Sequence, residues 1–438
     1  MLRSLGVAAG LLAAAPAAAQ TAPGQAASAQ TTVIHAGRLI TDASRPARGA
    51  STITVTGGRI ASIADGHQPA PAGARVVDLR SKTVLPGLID THTHLTSEPG
   101  GDYWREAVDS PEYTVAVGVK NALITARAGF TTVRDVGSYG EAGFALRRGA
   151  AEGLFPGPRI QTSGPALAII GGHGDVSGFR PEVLSALATG YTCTGPLECA
   201  AKVRAASRAG ADLIKITATG GVLSQQGRGL EAHFTDEEMR SIVQTARTLG
   251  LKVAAHAHGA RGIEAAARAG VDSIEHGTFG DAAAIRQMKA SGTAMVPTLM
   301  AFTGIQDRLG KGVYTPTVET KIRQTLTERG RALRRAKDAG VAVVFGTDSG
   351  VFEHGRNAEE FALMVQYGGL TPAEALASAT TGAARLMGLE NEVGRLAPGM
   401  SADLIAVDGD PLRDVRALED VDYVMVRGRS VPMEEGAR

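Results

Sequence analysis

Cysteine and tryptophan are scarce in this sequence: two and one, respectively, in 438 residues, with aromatic residues at 4%. Two cysteines cannot build the four-ligand cage of a structural zinc module. That leaves Cys193 and Cys199, in "YTCTGPLECAAKV", as a disulfide or as free thiols. Net charge is almost absent too, with 45 Lys and Arg against 44 Asp and Glu. With no basic field to draw nucleic acid or an anionic membrane, neither is expected as a partner. Beyond the N-terminus no apolar run is long enough to span a bilayer. No glycine-rich phosphate turn follows the first apolar strand, which disfavours an open dinucleotide-binding sheet.

Hydrophobic residues make up 44% of the chain, enough for one large domain and a smaller one. The first residues, "MLRSLGVAAGLLAAAPAAAQ", carry a positive start at Arg3, a short apolar stretch and a small-residue cleavage zone. Residues 1–22 therefore read as a signal peptide, which predicts a periplasmic or secreted protein. An N-terminal anchor is the alternative. A lipid-modified cysteine is not, because no cysteine lies near the cleavage zone. An oxidising compartment makes a Cys193–Cys199 bridge plausible.

One phrase recurs along the chain: a helical segment, glycine, an apolar strand, then a polar side chain. "ARAGFTTVRD" ends at Asp135, "SRAGADLIKI" carries Lys215, "ARAGVDSIEH" ends at His276 and "KDAGVAVVFGTD" ends at Asp348. "TLGLKVAAHAH" and "KASGTAMVPT" follow the same plan. Glycine ends each helix in a left-handed turn, and a buried parallel strand follows. Adding residues 84–93 and 158–164 gives eight strands alternating with helices. The predicted fold is an α/β (β/α)8 TIM barrel over about residues 86–388. The β-rich flanks, residues 31–85 and 389–435, are expected to pair into a small β-sandwich and so bury each other's edges.

"LPGLIDTHTHL" ends the first strand with His92 and His94, two residues apart and so on one face. Alone they fit a chelating pair or a polar surface loop. In such barrels chemistry gathers where strands end. Lys215, His256, His258, His276 and Asp348 end other strands at the same mouth, which favours a metal site. Lys215, charged within an apolar strand, either reaches solvent or a carboxylate, or stays neutral enough to form a carbamate. Asp348 can ligate and accept a proton, or simply cap a turn.

"LPGLIDTHTHL", "LIKITATGG", "VAAHAHG", "SIEHGTF" and "FGTDSG", in this order, resemble the amidohydrolase superfamily. The branch they resemble is the imidazolonepropionase-like one, with Xaa-Pro dipeptidases, related exported carboxypeptidases and ochratoxin-hydrolysing amidases. The resemblance covers nearly everything after the signal and implies two divalent metal ions, zinc foremost. His92, His94 and Asp348 would hold one ion, His256 and His276 the other, and carboxylated Lys215 would bridge them. Asp348 and Lys215 are the catalytic candidates, and His258, His173 and His354 the substrate-binding ones. Arg228 and Arg356 are further candidates for a substrate carboxylate. His35, His67 and His233 receive no catalytic role. The implied reaction is amide or peptide hydrolysis of dipeptides or N-acyl amino acids by a metal-activated hydroxide, in a homo-oligomer. Cyclic-amide hydrolysis or deamination is the alternative within the superfamily, and a non-catalytic binding protein the alternative outside it.

Overall fold

The computed structural model describes residues 30–100, 105, 108–225 and 229–433. The signal-peptide reading and Arg228 fall outside these residues. The chain begins with β1 (Thr31–Leu39), β2 (Ser51–Thr56), β3 (Arg59–Asp65) and β4 (Arg75–Pro86). β1 and β2 each bury three consecutive residues, 32–34 and 51–53, and burial begins to alternate only after them.

Gly87 then turns the chain into β5 (Leu88–Thr93), and the alternation of strand and helix begins. In order come α1 (Pro111–Arg127), β6 (Phe130–Asp135), α2 (Ala142–Glu152), β7 (Arg159–Thr162), α3 (Pro181–Leu187), α4 (Pro196–Ala209) and β8 (Leu213–Thr217). They are followed by α5 (Asp236–Thr248), β9 (Lys252–Ala257), α6 (Ala260–Ala269), β10 (Ser273–His276), α7 (Ala282–Ser291) and β11 (Ala294–Val296). Every residue of β5, β6, β8, β10 and β11 is buried. This is the pattern of strands covered on both faces. Gly210 and Gly270 close α4 and α6 at φ 100° and 91°, values that exclude most side chains. Thr235 and Glu238 form the capping box that starts α5.

Two seams close the ring into a (β/α)8 barrel. Between β7 and β8, Asp212 N donates to Thr162 O (2.9 Å) and Leu167 N to Lys215 O (2.8 Å). Between β11 and β5 lies the eighth strand, residues 342–349, which is too irregular for a continuous ladder. Met295 N donates to Ala342 O (2.8 Å), Thr91 N to Phe345 O (3.1 Å) and Asp348 N to His92 O (2.8 Å). Between β11 and this strand run α8 (Leu299–Arg308), α9 (Pro316–Leu326) and α10 (Arg331–Asp338). After it come α11 (Glu359–Gly368), α12 (Pro372–Ala377), one π-turn and α13 (Ala383–Met387).

The tail returns as β12 (Leu404–Val407), β13 (Val421–Val426) and β14 (Arg429–Ser430). β12 lies antiparallel to β4, with Ile405 opposite Leu85, so the terminal segments form one seven-stranded sheet in the order β14-β13-β12-β4-β1-β2-β3. The sheet curls until its far side meets the tail. Ile60 N donates to Met400 O (2.9 Å) and Ala402 N to Gly58 O (2.9 Å). Ile34, Ile53, Ile60, Leu404 and Met425 fill the core it encloses. A disulfide joins Cys193, just ahead of α4, to Cys199 near the start of that helix.

Candidate metal centre

The mouth of the barrel holds two donor sets. His92, His94 and Asp348 form one, and His256, His258 and His276 the other; within each, the ligand atoms lie within 4.8 Å of one another. The sets adjoin, with the rings of His92 and His276 5.1 Å apart. β5 supplies the first pair because alternate residues of a strand share a face.

The hydrogen bonds behind the rings fix which nitrogen is left to bind. A carbonyl or carboxylate oxygen can only accept, so its imidazole partner must donate. His92 Nδ1 donates to Glu275 Oε2 (2.7 Å) and His94 Nδ1 to Gly137 O (2.9 Å), leaving both Nε2 atoms with lone pairs. Thr298 Oγ1 donates to Pro297 O and therefore accepts from His276 Nδ1 (2.7 Å), again freeing Nε2. His256 is reversed: its Nε2 donates to Gly220 O (3.3 Å), which leaves Nδ1.

These lone pairs converge on something positive. Asp348 Oδ1 lies 3.4 Å from His92 Nε2 and 3.2 Å from His94 Nε2. Three electron-rich atoms so close repel unless a proton or a cation sits among them. Burial opposes protonation of His94, yet the Asp348 carboxylate outweighs it and raises the His94 pKa. Burial pushes His258 and His173 down to about 3, and His256 and His276 well below their ordinary range. They are neutral imidazoles, the form that ligates a metal. The residues present fit divalent ions bound by nitrogen and oxygen.

Lys215 is buried on β8, and burial lowers its pKa from 10.5 to about 8. That keeps a useful fraction of the amine neutral near physiological pH. The carboxylates of Glu275, Asp348 and Asp135 oppose that fall in pKa, and the Arg134 guanidinium adds to it.

Backbone strain collects here as well. Among the described residues, four that are not glycine have positive φ, and three of them are His276 (70°), Asp348 (66°) and Thr298 (49°). Such conformations cost about 1–3 kcal/mol each and persist where surrounding structure imposes them.

His173 and His258 both join this cluster. The His173 ring lies 4.3 Å from that of His256, and His258 stacks on His276 at 4.9 Å. His258, expected to meet substrate rather than metal, has Nδ1 on Thr278 Oγ1 (2.8 Å) and lies close enough to His256 and His276 to be grouped with them. His354 is placed differently. Its Nε2 bonds Ser97 O (3.1 Å) and its Nδ1 faces Thr125 Oγ1 (3.5 Å), so the ring secures the loop after β5. Arg356 is committed to Glu359 by two bonds of 2.7 and 2.9 Å. His35 lies on β1 and His67 in the loop after β3, both bonded to backbone carbonyls.

Sequence reasoning passed over Glu275 and Arg134. Arg134 Nη2 bonds Glu275 Oε1 (2.8 Å), and both side chains are fully buried. Burial pushes the Glu275 carboxyl up, but Arg134 and His92 outweigh it and hold it at about 2. Opposite charges inside two apolar strands were the available signal, since neither can stay buried unpaired.

A barrel with imidazole and carboxylate donors at the carboxyl ends of its strands defines a metal-binding hydrolase. This chain belongs to the amidohydrolase family, whose sequence pattern matches residues 83–431. It is 30% identical to ochratoxinase from Aspergillus niger over 411 residues, 90% of this chain and 84% of that one. A crystal structure of a Xaa-Pro dipeptidase with bound methionine superposes with a TM-score of 0.85 at 37% identity, covering 92% of this chain and 99% of the other. A prolidase complexed with N-methylphosphonate-L-proline gives 0.83 at 31% identity, over 92% and 100%. The protein is a metal-dependent hydrolase of carbon–nitrogen bonds in amides or peptides.

Proposed function

We propose that this enzyme is exported, holds two divalent ions, and hydrolyses the amide bond of dipeptides or N-acyl amino acids. The observation that carries the reading is the pair of adjoining donor sets whose lone pairs converge on one mouth. His92, His94 and Asp348 would hold one ion and His256 with His276 the other, with zinc the best match to these donors. Lys215, as a carbamate formed from its neutral amine and carbon dioxide, would bridge them. When bound, such ions polarise a carbonyl and bring the pKa of water to about 7.

The chain's own residues do the rest. Asp348 accepts the proton of the attacking water at its carboxylate and returns it to the departing amine. His173 and His258, kept neutral by burial, present ring nitrogens to the substrate's carbonyl or carboxylate. The mouth lies deep enough to exclude bulk water from the acyl carbon, since the ligand side chains are buried, His94 alone being partly open. Dipeptides and acyl amino acids are favoured as substrates by the relatives, a dipeptidase, a prolidase and an ochratoxinase. Export is supported by the leader-like first residues and by the disulfide, which persists in oxidising compartments.

A library of dipeptides and N-acyl amino acids, assayed with zinc and bicarbonate, tests the reading alongside metal analysis. Two metal equivalents and amide cleavage are expected, and Lys215→Ala should lose both metal and turnover. One equivalent with deamination, or undiminished cleavage after exhaustive chelation, would overturn it.

A further inference from the structure

α9 carries a lysine where its amphipathic pattern calls for an apolar residue. Lys321 is buried beside Val318 and Ile322, which pack with Val222, Leu230, Ile305 and Tyr314. A methionine would fill that space without desolvating a charge. Burial alone drags the Lys321 pKa down to about 8. What the ammonium gains is the backbone of the loop after β8: Nζ donates to Gly221 O (2.9 Å) and to Ser224 O (2.5 Å). Thr315 Oγ1, at the start of the same helix, reaches Gln225 Oε1 (3.0 Å).

That loop touches the donor cluster through one side chain. Ser224 Oγ bonds His173 Nδ1 at 2.8 Å, and the His173 ring lies against His256. Gly221 makes room for it, since a Cβ there would sit 2.3 Å from His173 Nδ1. A continuous path thus runs from Lys321 through the carbonyls of Gly221 and Ser224 to the Ser224 hydroxyl, His173 and the ligand His256.

We propose that Lys321 is a positioning residue for substrate binding: it latches the loop after β8 onto α9 and so sets, through Ser224, the orientation of His173 at the mouth. The helices inserted after β11 thereby take part in the chemistry without touching it. A polar latch suits this position because a carbonyl left unpaired in an apolar cluster would pull the loop outward to water. The assignment rests on the amide-hydrolase reading for its kinetic consequence and on geometry alone for the latch.

The test is a double-mutant cycle in the metal-loaded enzyme. Lys321→Met should keep two metal equivalents, raise KM more than it lowers kcat, and cut kcat/KM by at least about tenfold, as small misplacements at a reacting centre do. Ser224→Ala should move the same parameters in the same direction. In a His173→Ala background Lys321→Met should cost no more than twofold, because its effect passes through a side chain already removed. Hydrogen exchange of the amides at residues 221–225 should accelerate in Lys321→Met, a readout that needs no activity. Equal losses in both backgrounds, or unchanged exchange, would reduce Lys321 to packing and overturn the proposal. Should Lys321→Met fail to fold, Ser224→Ala in the same cycle decides. A two-metal wild-type enzyme that cleaves no amide overturns the functional reading alone, and the exchange measurement still judges the latch.

Discussion

His92 is held from behind. Its Nδ1 donates to Glu275 Oε2, while the other oxygen of that carboxylate, Oε1, is pinned by Arg134 and accepts from Ser273 Oγ at 2.5 Å. A ligand imidazole with its rear nitrogen fixed this way keeps one tautomer and one ring orientation. Glu275→Gln should therefore weaken metal binding by about 10–100-fold, the usual cost of losing such a partner. It should also destabilise the fold by roughly 3–5 kcal/mol, because the buried Arg134 charge is left uncompensated. Competition with a chelator reads the first effect and urea denaturation the second. Unchanged metal affinity would mean that His92 is oriented by something else. The ligand candidates were legible from sequence because each ends a strand in a repeated phrase. The Arg134–Glu275 pair was not, since its partners stand 141 residues apart and meet only when the ring closes.

At the scale of elements, the donor groups depend on two strands staying in register. Asp90 on β5 accepts from His92 N (3.0 Å), Thr347 N (3.1 Å), Thr347 Oγ1 (2.6 Å) and Asn357 Nδ2 (2.8 Å). One carboxylate thus clamps the strand carrying His92 to the stretch carrying Asp348. Asp90→Leu should leave several donors buried without an acceptor, at about 1–3 kcal/mol for each. Metal content should fall together with thermal stability. Full occupancy in the variant would show that the metals alone hold the strands together. The disulfide belongs to this scale too. Replacing both cysteines by serine should cost roughly 2 kcal/mol by opening a short loop, measured as a lowered urea midpoint. Metal occupancy should be unaffected. The helix starts were readable in advance, Thr235–Glu238 and Thr371–Glu374 both forming capping boxes. The eighth strand was readable from the repeated phrase that ends at Asp348, but its irregularity was not. Positive φ at Asp348 turns the end of this stretch, a distortion that no propensity reports.

The molecule as a whole is built around a chain that passes from one core into another within two residues. β4 ends at Pro86 and β5 starts at Leu88; between them Gly87 N donates to Asp403 O (3.0 Å), just ahead of β12. A side chain at Gly87 would collide with Thr131 of β6, its Cβ only 2.1 Å from Oγ1. The two β-rich flanks announced themselves by composition. That the tail inserts beside β4, deep in the sheet, could not be read from local pattern, because pairing between residues 320 apart leaves no period in the sequence. This arrangement makes the last strands structural supports of the first ligand strand. A chain ended at residue 400 would remove Leu404, Ala406 and Met425 from the sheet's core and strip β4 of one of its two partners, leaving only β1. It would also leave Gly87 N without Asp403 O, loosening the entry to the strand that carries His92 and His94. The truncated protein is expected to bind a hydrophobic dye, to lose cooperative thermal unfolding and to retain less than one metal equivalent. If instead it unfolds in a single sharp transition with two metals bound, the barrel is self-sufficient and the sheet is an appendage to it.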